Sequence, residues 1–247
     1  MKALILAAGL GERMRPLTNT TPKPLLKVGG KPLIVWHLEK LAAIGVRDVV
    51  INTSWLAEQF PEMLGDGTQF GLRIAYSYEG VTPLETGGGM LHALSLLDRR
   101  GSDEAFIAVN GDIWTDYDFS RLPREPAGLA HVVAIALPAF RQPGAFEQAL
   151  ATLLSSDDNR LHTLAGVGVY RPTLFAGLTP GRFSVVPLLT QAIVDRQLTA
   201  EAFSGSWWDV GTPERLAQLD KALRDPAWHV ADAETQDGDR EHPADFK

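Results

Sequence analysis

The chain has 247 residues, 45% of them hydrophobic, and a net charge of −7, enough for one substantial core and unsuited to a protein that coats nucleic acid. It has no cysteine and six scattered histidines (37, 92, 131, 162, 229 and 242), which excludes disulfides, thiol catalysis and zinc–thiolate sites and leaves oxygen as the expected ligand of any metal. No apolar stretch approaches the roughly 20 residues of a membrane span, and the first strand lacks a long h-region and a small-residue cleavage site; no membrane partner and a cytoplasmic location are expected.

Strand and helix signals alternate through the first half: a strand over 2–8, a helix over 31–44 ending near Gly45, a strand over 47–52, helical pieces over 55–64 broken by Pro61, and a strand over 72–77. A helix over 87–97 and a strand over 105–109 follow. This order predicts an α/β fold, a Rossmann-like, mostly parallel sheet with helices on both faces and ligands beyond the carboxyl ends of its strands. The second half is less regular, with a strand near 131–137, a weakly patterned stretch over 139–163, a strand over 166–170 and helices near 185–196 and 213–224. Residues 1–227 are expected to form one domain. From Trp228 on, six acids stand against Arg240 and Lys247, so residues 228–247 are expected to be an acidic, disordered tail.

The first strand breaks into Gly9-Leu10-Gly11-Glu12-Arg13-Met14-Arg15-Pro16, followed by Pro22-Lys23-Pro24-Leu25. Glycines let a ligand approach backbone amides, and Arg13, Arg15 and Lys23 can neutralise several phosphate oxygens at once. Residues 1–31 hold six Lys/Arg against one acid, Glu12, a local +5 in an acidic chain. The dinucleotide fingerprint would need glycine where Met14 stands, and no G-x-x-x-x-G-K-[ST] occurs. A triphosphate site of another kind is expected here; the alternative is a bare strand-to-loop turn.

Acidic residues are delivered to the same rim. Strand 105–109 runs into Asn110-Gly111-Asp112, and Trp207-Trp208-Asp209-Val210-Gly211-Thr212-Pro213 puts Asp209 just ahead of a helix capped by Thr212. Asp112 and Asp209 could share Mg²⁺ with phosphate oxygens and water, or be solvated turn residues. In Leu84-Glu85-Thr86-Gly87-Gly88-Gly89 the glycines could admit a base or ribose to the backbone and Glu85 could accept from it; a ligand-free loop is the alternative. Asp116 and Asp118 could also be ligands, but fit a solvated strand edge.

Lined up, these segments resemble the sugar-1-phosphate nucleotidyltransferases over about residues 1–225. Leu6-Ala7-Ala8-Gly9-x-Gly11-x-Arg13-Met14-Arg15-Pro16-Leu17-Thr18 with Pro22-Lys23-Pro24-Leu25 looks like that family's signature, and Asn110-Gly111-Asp112 and Trp208-Asp209-Val210-Gly211-Thr212 look like its metal segments. The segments 84–89 and 109–119 look most like those of the N-acetylmuramate-1-phosphate uridylyltransferases of bacterial cell-wall recycling. The resemblance implies that UTP is held by Ala8, Gly9, Gly11, Glu12, Arg13 and Lys23, that Glu85 and Gly87 meet the uridine, that Asn110 meets the sugar, and that Asp112 and Asp209 hold Mg²⁺. It implies catalytic roles for Arg15 and Lys23 and, as partners, UTP and a sugar 1-phosphate. One departure stands out: the subfamily usually has Gly-Asp-Phe where this chain reads Gly144-Ala145-Phe146, and Ala145 cannot hydrogen-bond through its side chain. Alternatives are a thymidylyl- or guanylyltransferase, a glycosyltransferase using Asp116-Tyr117-Asp118, and a nucleotide sensor without turnover.

Overall fold

The computed structural model describes residues 1–98, 101–138, 142–154 and 160–225. Strand β1 (Lys2–Leu6) opens the chain, and a long loop leads to the two-residue hairpin strands β2 (Lys27–Val28) and β3 (Lys31–Pro32). Helix α1 (Leu33–Ala43), β4 (Asp48–Thr53), α2 (Gln59–Leu64), β5 (Arg73–Tyr78) and α3 (Glu85–Leu97) follow. Next come β6 (Phe106–Asn110), β7 (Ile113–Thr115), β8 (Ala130–Ala136), α4 (Ala145–Leu154) and β9 (His162–Tyr170). The described part ends with α5 (Val186–Val194), β10 (Leu198–Ala202), β11 (Trp207–Asp209) and α6 (Pro213–Arg224).

Seven strands form one sheet in the order β10-β8-β9-β6-β1-β4-β5. Only β9 runs against its neighbours; every other pair in this sheet is parallel, as the alternation of strand and helix signals predicts. Both faces are covered. Ala3 and Ile5 of β1 meet Leu38 and Leu41 of α1 and Phe60 of α2, whereas Leu4 meets Met90 of α3, Leu150 of α4 and Leu189 of α5. Burying each such large side chain stabilises by about 1.5–3 kcal/mol, and burial on both sides is why β1 reads as an unbroken apolar run. A third cluster joins Met14, Leu33, Trp114, Val210 and Leu219, fastening α6 beneath the loop after β1. Among the described residues no helix is long and apolar enough to cross a membrane.

Several boundaries differ from expectation for physical reasons. Helix α1 starts at Leu33 rather than 31 because Lys31-Pro32 is extended and pairs with Lys27-Val28. Pro61 does not break α2: it sits in the first turn, where a missing N–H leaves no helical bond unmade. The weakly patterned stretch contains α4 and the first residues of β9, which makes β9 longer than the 166–170 expected; 139–141 and 155–159 lie outside the described residues. Strands β10 and β11 were not expected. The first is a sheet edge with half-exposed residues, and the second is only three residues long, so neither carries a local pattern. The expected tail, 228–247, lies outside the described residues.

Candidate active site

Strand β1 sits where the sheet order reverses, with β4 on one side and β6 on the other, so the loops at their carboxyl ends diverge and open a crevice. A cavity of about 590 Å³ lies there. Its floor is the loop after β1: Ala8, Gly9, Gly11, Glu12 and Arg13 all line it. Gly11 is left-handed, with φ +63°, and a Cβ on it would stand 2.8 Å from Thr18 Cγ2. The tight turn is closed by Thr18 Oγ1 donating to Gly11 O at 2.7 Å and Met14 N–H donating to the same oxygen at 2.8 Å. Gly9 is different: it is exposed, and nothing lies within 4 Å of where its Cβ would be.

Lys23 enters from the turn that follows. It is 7% exposed, and its Nζ donates to Asp112 Oδ2 at 2.9 Å. Asp112 stands just beyond β6 because Gly111 N–H donates to Leu6 O at 2.8 Å, which ties the end of β6 to the end of β1. A buried ammonium needs such a partner, and its loss would leave an uncompensated charge. Behind Asp112, the buried ring of His37 lies with Nε2 2.8 Å from Ile113 O. Burial lowers the pKa of His37 to about 4, so at neutral pH the uncharged ring supports β7.

Asp209 is brought up by β11, which pairs antiparallel with β7 so that Asp209 faces Ile113 and Val210 N–H donates to Asp112 O at 3.2 Å. Asp112, in the turn just ahead of β7, and Asp209, the last residue of β11, are therefore brought near each other along the backbone. Asp209 Oδ2 accepts from Arg215 at 3.1 Å; Asp112 and Gly211 line the cavity, whereas Asp209 does not. A Cβ on Gly211 would meet Asp209 Oδ2 at 3.1 Å and Arg13 Nη2 at 3.4 Å, so the bare backbone lets a carboxylate and a guanidinium close over it. Among the described residues no three His, Asp, Glu or Cys side chains form a metal cage. Two carboxylates fit Mg²⁺, which is bound through one or two carboxylates together with substrate phosphates and water.

The opposite wall carries Glu85, Thr86 and Arg182. Arg182 Nε donates to Glu85 Oε1 at 3.0 Å, and Glu85 has φ +61° at the start of α3. The glycines that follow do not face open space. A Cβ on Gly87 would lie 2.5 Å from the Phe183 ring, one on Gly88 2.1 Å from Gly181 O, and one on Gly89 2.5 Å from Glu79 Oε1. The Gly87 and Gly88 N–H groups both donate to Phe183 O. The bareness of Gly87 and Gly88 lets α3 pack against segment 181–184, and that of Gly89 lets it approach Glu79 and Asn52.

Asn110 lines the cavity, whereas Arg15, exposed on the loop after β1, and Gly87 do not. Asp116 and Asp118 are exposed, outside the cavity lining, and Asp118 caps a short turn by accepting from Ser120 N–H. Several lining residues escaped the sequence reading, among them Arg182, Asn52 and Glu79. Buried Asn52 accepts from Ala7 N–H and donates to Glu79, whose other oxygen accepts from Leu84 N–H at 2.7 Å. Burial raises the Glu79 carboxyl above its ordinary value, against these hydrogen bonds. The available signal was a polar residue closing an apolar strand, as in Val49-Val50-Ile51-Asn52.

A family model for nucleotidyl transferases matches residues 2–146. The N-acetylmuramate alpha-1-phosphate uridylyltransferase of Neisseria meningitidis serogroup B is 42% identical over 226 residues, 88% of this chain and 96% of that enzyme. The enzyme of the same name from Caulobacter vibrioides is 35% identical over 228 residues, 86% of this chain and 92% of its own length. A crystal structure of a Bacillus anthracis protein assigned as a glucose-1-phosphate thymidylyltransferase is 21% identical and superposes with a TM-score of 0.75 over 91% of this chain and 96% of that one, which shows a shared fold. By sequence over most of its length, the chain belongs to the nucleotidyl transferase family.

Proposed function

We propose that this nucleotidyltransferase joins UTP to N-acetylmuramate 1-phosphate, giving UDP-N-acetylmuramate and pyrophosphate, in the cytoplasm. The observation that carries the chemistry is the meeting of the buried Lys23 with Asp112 at 2.9 Å on the rim of a cavity floored by the Gly9–Arg13 loop. The choice of base and sugar is supported by the 42% and 35% identical relatives.

A phosphate oxygen of the sugar phosphate attacks the α-phosphorus of UTP, the new P–O bond forms in line, and the bond from that phosphorus to the α–β bridging oxygen breaks as pyrophosphate departs. The nucleophile is already anionic, so no general base is needed. The chain's task is to hold two polyanions together and to balance charge that moves toward the leaving group. Lys23 faces the phosphates near the reacting centre, backbone amides of Gly9 and Gly11 and the Arg13 guanidinium hold the triphosphate, and Arg15 on the same loop takes the departing pyrophosphate. Glu85 accepts from the uridine and Asn110 donates to the sugar. Asp112 and Asp209 would hold Mg²⁺, which when bound supplies charge neutralisation between the phosphates.

The test is pyrophosphate release from the purified protein with Mg²⁺ and UTP, with and without N-acetylmuramate 1-phosphate, with glucose and mannose 1-phosphates and with dTTP and GTP in parallel. Release that requires UTP and that sugar supports the reading. Release only with another pair replaces the substrates and keeps the chemistry, and omission of the metal must abolish it.

A further inference from the structure

Three hydrogen bonds in series join the floor of the cavity to its opposite wall. Ala7 N–H donates to Asn52 Oδ1, Asn52 Nδ2 donates to Glu79 Oε1, and Leu84 N–H donates to Glu79 Oε2 at 2.7 Å. Ala7 opens the loop after β1, and Leu84 immediately precedes Glu85. Asn52 and Glu79 both line the cavity, and Asn52 is only 2% exposed. Register puts them there: Asn52 lies opposite Leu6 in the pairing of β4 with β1, and Glu79 N–H, just past the end of β5, donates to Thr53 O at 2.9 Å. Gly89 makes room for the series, since a Cβ on it would stand 2.5 Å from Glu79 Oε1 and 2.7 Å from Asn52 Nδ2.

The direction of every bond in the series is fixed. A main-chain N–H stands at each end and can only donate, so the group beside it must accept. Asn52 therefore turns its carbonyl to Ala7 and its amide to Glu79, and Glu79 accepts through both oxygens, as an ionised carboxylate does. One carboxamide and one carboxylate satisfy this pattern in either order. Two carboxamides bring a pair of donors together, and two carboxylates bring a pair of acceptors together. Ser54 Oγ also donates to Gly80 O at 2.6 Å, so the segment from Glu79 to Leu84 is held at both ends although Val81 within it is 86% exposed. The two side chains thus tie the turn that carries Glu85 to the loop after β1.

We propose that Asn52 and Glu79 are positioning residues for the nucleotide: they hold the wall that receives the base at a fixed distance from the loop that receives the triphosphate, so that a base seated beside Glu85 brings its α-phosphorus to Lys23. Neither side chain takes part in making or breaking a bond. A ligand gripped at both ends is misplaced when the span between the grips relaxes, and about 1 Å of misplacement can cost on the order of 10²-fold in rate. A ligand gripped at one end does not register that span. This rests on a nucleoside triphosphate occupying the cavity, as proposed above.

The experiment compares the wild type with Glu79→Gln, Asn52→Asp and the double variant, which exchanges carboxamide and carboxylate and again satisfies every bond in the series. For each, kcat/KM for UTP is measured beside the inhibition constant of inorganic tripolyphosphate, which reaches the loop alone. Each single variant is expected to lower kcat/KM for UTP about 10- to 100-fold, with the tripolyphosphate constant within about twofold of the wild type. The double variant is expected to recover kcat/KM to within about threefold of the wild type. Normal kcat/KM in the single variants, an equal loss of tripolyphosphate binding, or a double variant no better than the single ones overturns the proposal, because a merely structural bridge would weaken both ligands together. So would a wild type with which tripolyphosphate does not compete. If Asn52→Asp folds poorly, Glu79→Gln carries the comparison with the double variant. If the wild type turns over another nucleoside triphosphate, the choice of UTP fails on its own, and that nucleotide takes its place in the same comparison. If it turns over none, the function reading fails, and calorimetric affinities for UTP and tripolyphosphate decide: a UTP affinity that is absent, or unchanged in the single variants, overturns the proposal, and one that falls in them alone and returns in the double variant supports it.

Discussion

Gly9→Ala and Gly11→Ala separate a glycine kept for the ligand from a glycine kept for the fold. At Gly11 an alanine would sit at φ +63° with its Cβ 2.8 Å from Thr18 Cγ2. The left-handed backbone costs about 1–2 kcal/mol for a residue with a Cβ, and relieving the overlap with Thr18 adds about 1–3 kcal/mol. Thr18 is buried and its carbonyl accepts from Trp55 Nε1 at 2.9 Å, so the strain is not easily shed. A drop in stability of about 2–5 kcal/mol is therefore expected, read from urea unfolding curves.

Gly9 gives the opposite expectation. Its φ lies outside the left-handed region and no atom lies within 4 Å of the added methyl, so stability should change by less than about 1 kcal/mol, with either sign. Gly9 does line the cavity floor. If phosphate oxygens approach the backbone there, they are pushed outward, and a displacement of about 1 Å can cost on the order of 10²-fold in rate. The assay is kcat/KM for UTP beside the unfolding curve of the same preparation. A Gly9→Ala enzyme with normal kcat/KM would refute the reasoning, since the loop would then be only a turn.

Three further outcomes are expected. Lys23→Ala and Asp112→Asn should each lower kcat by about 10²–10³, the scale for a lost charge-stabilising group, and the double variant should cost less than the sum because the two side chains touch at 2.9 Å; additive losses in a double-mutant cycle would mean that they act independently. Gly88→Ala, with its Cβ 2.1 Å from Gly181 O, should push segment 181–184 away from α3 and lower stability by about 1–3 kcal/mol, seen as a lower melting temperature. His37, lowered from 6.5 to about 4 by burial, is neutral in the fold but takes up a proton when unfolded below pH 6.5. Its contribution is complete above pH 6.5 and fades as pH falls toward 4, by up to about 3 kcal/mol. His37→Gln should flatten the dependence of unfolding free energy on pH between 6.5 and 5.

The loop after β1 and Asp112 were legible because each follows an apolar run buried on both faces, so the change to Gly, Arg and Asp marks a strand end on the sequence itself. The family was legible for the same reason, its residues lying in unbroken stretches. Asn52 and Glu79 were not, since one polar residue at a strand end looks like any other until their carboxamide and carboxylate are seen bridging Ala7 and Leu84. For Gly87 to Gly89 the run says only that side chains are absent, and not that the Phe183 ring, Gly181 O and Glu79 stand where Cβ atoms would be.

The position of Asp112 is a consequence of register as much as of its own contacts. β6 pairs with β1 so that Asn110 faces Leu6, and the next amide, Gly111 N–H, closes on Leu6 O at 2.8 Å. A slip of one residue would carry Asp112 about 3.3 Å along the strand, farther than the 2.9 Å that joins it to Lys23, and would turn the alternating side chains of β6 to the wrong faces. On the other side of β6, Gly166 of β9 has φ +78°, and a Cβ there would stand 2.8 Å from Asn110 Nδ2. β1 thus sets how far β6 runs, and β9 leaves room for the side chain that ends it. That register delivers Asp112 to the buried Lys23. The same hydrophobic faces that hold the sheet together therefore set the spacing between this cation and its carboxylate.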